Sequence, residues 1–119
     1  MQLSIILAVL PLALAGVLPR QNNGADFGLC NPSIDFQLGR GNRAADEGTF
    51  LPTDPLVAQG QSDALNPNII TNRVCDQLTN VCEANQAAKD LCAQAQAQVE
   101  AAGTRDASTA QLFNSALGF

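Results

Sequence analysis

The sequence predicts a mainly α fold: a disulfide-stapled helical hairpin plus a short C-terminal helix, preceded by a Gly-rich segment that forms a small β-hairpin. Three observations predict it. Val74, Leu78, Val81, Asn85, Ala88, Cys92, Ala95, Val99 and Ala102 follow one another at spacings of four and three. That is the apolar stripe of an amphipathic helix, with Asn85 as its one polar member. Cys30, Cys75, Cys82 and Cys92 form an even set, the mark of a cross-linked framework. Residues 21–53, by contrast, hold five Gly and two Pro and have no helical period.

Residues 1–15 read as an export leader rather than as part of the fold. The stretch MQLSIILAVLPLALAG is apolar and ends in small residues, and Ala13-Leu14-Ala15 has the pattern a signal peptidase reads. Cleavage is expected after Ala15. The run is too short for a membrane span, which needs about 20 residues. Arg20, closing Val17-Leu18-Pro19-Arg20, is a possible second processing point that would leave Gln21 as the mature end. The plainer reading is an exposed Arg in a terminal segment.

Residues 16–53 form the Gly-rich extended part. Ser33–Leu38 alternates apolar and polar side chains, the period of a strand, and a second strand fits Thr49–Leu51. Gly39-Arg40-Gly41-Asn42 supplies turn chemistry between them. Residues 54–119 form the helical part, and 21–53 dock on it to make one domain. Asp54-Pro55 opens a short helix, Pro55–Ala64, weakened by Gly60. Asn66-Pro67-Asn68 breaks it, and Asn68 caps the next, Ile69–Ala102, which stops at Gly103. A last helix over Asp106–Leu117 puts Ala107, Ala110, Phe113 and Leu117 on one face, with Gly118 after it.

The helical stripe is long but shallow, because Ala and Gln dominate residues 84–102 and bury little area each. The five Phe, the Ile69-Ile70 pair and the Val/Leu positions must therefore build the core. Ile34, Phe36, Leu38 and Phe50 are expected to lie on the stripe.

Helix geometry weighs the three ways of pairing the cysteines. On one straight helix Cys75 and Cys82 would be about 10 Å apart, and Cys82 and Cys92 about 15 Å, at 1.5 Å per residue. A disulfide needs Cα atoms within about 7 Å. A hairpin broken near Glu83–Gln86, with Asn85 in the left-handed conformation that ends a helix, brings Cys92 back to the first arm. The favoured pairing is Cys30–Cys82 with Cys75–Cys92. Cys30–Cys75 with Cys82–Cys92 is the alternative. A redox-active pair would want Cys-x-x-Cys or nearby positive charge, and neither is present.

Composition narrows the chemistry. With no His there is no Ser-His-Asp or Cys-His machinery and no His-ligated metal. Eleven acidic against six basic side chains, without a basic run, argue against nucleic acid and anionic membranes as partners. Gly39-Arg40-Gly41-Asn42-Arg43-Ala44 matches a dinucleotide fingerprint, but Gly48 and Pro52 cut off the helix it needs. Asp46-Glu47, and Asp76 with Glu83 on one helical face, read as solvated acids rather than a glycosidase pair. Arg40, Arg43 and Arg73 are candidate partner anchors, with solvated loop charges the favoured reading. No cofactor, metal or catalytic residue is expected.

The run Leu65-Asn66-Pro67-Asn68-Ile69-Ile70-Thr71-Asn72-Arg73-Val74-Cys75-Asp76-Gln77-Leu78-Thr79-Asn80-Val81-Cys82, continued by Glu83-Ala84-Asn85-Gln86-Ala87-Ala88-Lys89-Asp90-Leu91-Cys92, resembles small secreted four-cysteine proteins of filamentous ascomycete fungi. The resemblance spans about residues 27–119. It implies fungal origin and export, and it brings no catalytic residues. Two functions follow as expectations. The first is a secreted, non-enzymatic interaction protein, effector- or elicitor-like, with a protein or cell-wall partner outside the cell. The alternative is a structural protein of the producer's own wall or extracellular matrix, its Ala/Gln-rich helix packing against copies of itself.

Overall fold

The structure, a computed structural model, describes residues 24–119. The leader read over 1–15, its cleavage point at Ala15 and the processing point at Arg20 lie outside the described residues. Two short strands, β1 (Ile34–Leu38) and β2 (Gly48–Pro52), are followed by four helices: α1 (Pro55–Ala58), α2 (Pro67–Asn80), α3 (Gln86–Ala102) and α4 (Ala107–Leu117). The strands pair antiparallel, with Phe36 opposite Phe50 at the centre of the register. About half of the described chain is helical, so the mainly α class stands, with a small sheet and two disulfides.

Each helix begins where the side chains can satisfy its first free N–H groups. Asp54 caps α1 by accepting from the Leu56 N–H, with Pro55 at the first helical position. Asn66, not Asn68, caps α2, because Pro67 fits the first turn and so sets the start one step earlier than expected. Asp106 caps α4 in a reciprocal box with Thr109. Gly103 and Gly118 end α3 and α4 in the left-handed region.

Helix α1 is far shorter than the expected Pro55–Ala64. It stops at Ala58, where Gln59 and Gly60 take positive φ, and Ala64 instead bonds to Phe50 as an added rung beside β2. The hairpin break also differs in detail. Glu83, at φ 58°, takes the left-handed conformation, while Asn85 is extended and caps α3 by accepting from the Ala88 N–H at 2.9 Å. A capping amide satisfies a helix donor, which a left-handed terminal Asn would not do.

Val74, Leu78, Ala88, Cys92, Ala95 and Val99 are buried along the facing arms of α2 and α3, with Ile70 at the same depth. Val81 is half-buried, and Asn85, at the turn between the arms, and Ala102, at the far end of α3, lie exposed. From the β side, Ile34 and Phe50 join the core and Phe36 packs at its margin against Phe50. Leu38 does not: it is 61% exposed, because the last rung of β1 overhangs the helices. The sheet packs on α2 and α4 rather than along the α3 stripe. Of the Phe residues, Phe27, Phe50 and Phe113 are buried, and of the isoleucine pair only Ile70 is.

Asn114 of α4 fixes β1 to the helices. Its Oδ1 accepts from the Ile34 N–H at 2.9 Å, and its Nδ2 donates to the Ile34 carbonyl at 2.8 Å. The side-chain amide thus stands where a neighbouring strand's peptide would. Asn114→Ala leaves both backbone groups without partners, and is expected to cost about 1–3 kcal/mol. Urea unfolding of the oxidised protein measures it, and a change below ~0.5 kcal/mol would mean that water replaces the amide freely.

Candidate functional site

A cleft of about 380 Å³ lies where the β1–β2 connection meets the segment after α1. Arg40, Gly41, Asn42, Arg43, Leu51, Gln61 and Asp63 line it. The connection is ordered by its own turns: the Arg43 N–H donates to the Arg40 carbonyl and the Glu47 N–H to the Ala44 carbonyl. Gly39 and Gly41 supply the positive φ angles that these turns need.

Both arginines are held by acids, Arg40 by the nearby Asp35 and Arg43 by Asp63, twenty residues along the chain. Arg40 Nη2 meets Asp35 Oδ1 at 2.6 Å, and its Nε donates to the Thr49 hydroxyl at 3.1 Å. Arg43 Nε donates to Asp63 Oδ2 at 3.3 Å, with Glu47 3.8 Å from its Nη1. The Arg40 side chain is only 16% exposed. These are therefore not solvated loop charges. The fold brings Asp35 and Asp63 to them, and a fixed guanidinium loses less entropy on bonding than a free one. Arg73 is likewise engaged, donating to the Gln59 carbonyl at 3.1 Å and so closing the end of α1.

The Thr49 hydroxyl beside it does most to hold the Asp63 carboxyl below the ordinary aspartate value; burial opposes this, and Arg43 and then Arg40 add to the lowering. A base needs affinity for a proton, and Asp63 has been given less. The lining holds no Ser, Thr, Cys, Lys or His, and its one carboxylate, Asp63, accepts from Arg43. What the arrangement offers is directional hydrogen bonding beside the apolar Leu51, which suits binding.

The depressed Asp63 pKa also predicts a pH dependence. Because folding lowers it, the stabilisation is complete above the unfolded value near 3.8 and is lost as pH falls through the lower folded value. Asp63→Asn should therefore be less stable than wild type at neutral pH, with the gap closing in strong acid. Urea midpoints measured for both from neutral to strongly acidic pH check this; a gap that stays constant with pH would assign the loss to hydrogen bonding alone.

The other candidates fall elsewhere. Residues 44–47 turn straight into β2, so no helix follows the glycine motif. Asp46 is exposed, and Glu47 neighbours Arg43. Asp76 and Glu83 do not share a helical face, since α2 ends at Asn80 and Glu83 sits in the turn beyond. Among the described residues no cluster of His, Cys, Asp and Glu could hold a metal ion.

The cysteines are joined as Cys30–Cys82 and Cys75–Cys92, with Cα separations of 5.3 and 5.7 Å. Cys75–Cys92 crosses between the arms of the hairpin. Around Cys30–Cys82, hydrogen bonds that no pattern in the sequence announces complete a clasp. The Leu29 N–H donates to the Cys82 carbonyl at 2.8 Å. Asn85 Oδ1 also accepts from the Asp26 N–H, and its Nδ2 donates to the Gly24 carbonyl at 3.0 Å. Asn85 thus caps a helix and binds the leading segment at once. Its place as the polar member of an apolar stripe was the available signal. No protein-family model, curated protein or solved structure matches the chain.

Proposed function

We propose that this protein is a small secreted interaction protein without catalytic activity, acting outside the cell on a protein or cell-wall partner in the manner of a fungal effector or elicitor. The observation that carries the reading is the pair of disulfides, one joining the hairpin arms and one tying the leading segment to the turn between them. Such bonds persist in oxidising, extracellular surroundings. The apolar leader ending at Ala15 supports export, and no helix among the described residues is long and apolar enough to cross a membrane. The arginine cleft supports binding, since Asp35 and Asp63 hold its guanidiniums in fixed positions beside the apolar Leu51.

Fractionation of a culture expressing the chain tests the reading. Recovery in the medium, with an N-terminus at Gly16 or Gln21, is the expected result. Retention by wall that has been washed with salt and detergent favours the structural alternative. Recovery inside the cell with Met1 in place overturns both.

A further inference from the structure

The two edges of the small sheet are finished differently. In antiparallel pairing, alternate residues turn their N–H and C=O groups toward the neighbouring strand or away from it. Gly39 donates to the Glu47 carbonyl and Thr53 to the Ser33 carbonyl, so the odd positions of β1 face β2. Ile34, Phe36 and Leu38 therefore face outward. The outer edge of β2 is closed at Phe50 by Ala64, which both donates to it and accepts from it, and Pro52 has no N–H to offer. Among the described residues, the outer edge of β1 is closed only at Ile34, by Asn114. Its outward groups at Phe36 and Leu38 form an open template of the kind that proteins usually blunt with charge.

We propose that the β1 edge is a self-association surface, on which a second copy of this chain pairs antiparallel through its own β1. The register is determined by what closes each end. Placing Phe36 opposite Leu38 of the second copy, and the reverse, makes both outward residues of each strand partners and centres the two-fold axis on Gln37. In that register Ile34, already occupied by Asn114, falls opposite Arg40 of the second copy. The chain has by then turned away at Gly39, whose φ is 64°. An arbitrary longer strand would run into the Asn114 rung; a copy of β1 stops short of it.

The side chains and charges agree with this occupant. Leu38, 61% exposed, is laid beside the half-buried Phe36 of the other copy, an apolar cross-strand pair. Phe36-Gln37-Leu38 carries no charge. The nearest acid, Asp35, is bound by Arg40 and accepts from Gln37 Nε2 at 2.7 Å, so like charges do not meet across the axis. The paired stretch is short against the roughly 1,200 Å² that a stable dimer buries. The association is accordingly reversible and concentration-dependent.

Leu38→Pro provides the decisive variant. It removes the outward N–H while leaving the bonds from β1 to β2, and an edge strand accepts proline there. Leu38→Lys, at the same exposed position, adds the charge that blunts an edge. Sedimentation equilibrium of the oxidised protein over a wide concentration range should give an average mass rising toward that of a dimer, and both variants should weaken the association by about tenfold or more. Amide exchange at Phe36 and Leu38 should slow as concentration rises, in the wild type alone. A wild type that stays monomeric at millimolar concentration overturns the proposal. So does a dimer that both variants leave intact, or one that forms without protecting these two amides.

Discussion

Replacing Gly28 by valine is expected to be the most damaging single substitution in the leading segment, lowering stability by about 3 kcal/mol or more. Gly28 sits at φ +63°, and a Cβ there would lie 2.0 Å from the Cys82 carbonyl oxygen and 2.8 Å from that of Glu83. Both obstacles are backbone. Neither can swing aside as a side-chain end would, and both belong to the turn that Cys82 and Asn85 hold. Relief requires the whole 24–30 segment to lift from the hairpin, which strains the Cys30–Cys82 bridge and uncovers Phe27. Gly41→Val is the control: its φ is +57°, but a Cβ there meets nothing within 4 Å. That variant carries only the conformational cost, about 1–2 kcal/mol. Urea unfolding of the oxidised variants compares the two. If both lose the same amount, the close approach at Cys82 does not limit the fold.

Much of this architecture was legible because it is local. The stripe from Val74 to Val99, the apolar face of the last helix and the stop at Gly103 each follow from residues within a few turns of one another. The errors came where a partner lies far along the chain. Arg40 and Arg43 looked solvated because Asp63, some twenty residues on, is brought to them only by the fold. Asn114 reaches Ile34 across 80 residues, and no periodicity announces it. Asn85 was visible as an oddity, but its place in the stripe disguised a cap. Leu38 fitted the strand alternation, yet a strand can outrun the core that its pattern implies. The cleft was therefore legible as residue types and not as a site.

Cys30→Ser should cost about 4 kcal/mol and loosen only the start of the described chain. The Cys30–Cys82 bridge spans a sequence separation of 52, for which loop-closure entropy gives about 4 kcal/mol, against about 3 for the separation of 17 at Cys75–Cys92. From the sequence, the whole of residues 21–53 is expected to come away together. The structure narrows this. Ile34 and Phe50 are buried in the core, Asn114 grips β1, and the Asn31 N–H donates to Asp54 Oδ2 at 2.8 Å. From Asn31 onward the chain has its own anchors. Residues 24–30 have Phe27, whose burial contributes about 1.5–3 kcal/mol, and a few hydrogen bonds to the hairpin turn. Ordering each residue costs about 1–2 kcal/mol, so without the bridge this segment frays. Chymotrypsin reads the difference. Cleavage after Phe27 should be fast in Cys30→Ser and slow in the wild type, while cleavage after Phe36 and Phe50 stays slow in both. The helical circular dichroism should be unchanged, because α2 and α3 keep the Cys75–Cys92 bridge. If Phe36 and Phe50 are cut as readily as Phe27, the bridge holds the sheet as well and Asn114 is no anchor. If Phe27 stays protected, the clasp at Asn85 stands without its covalent bond.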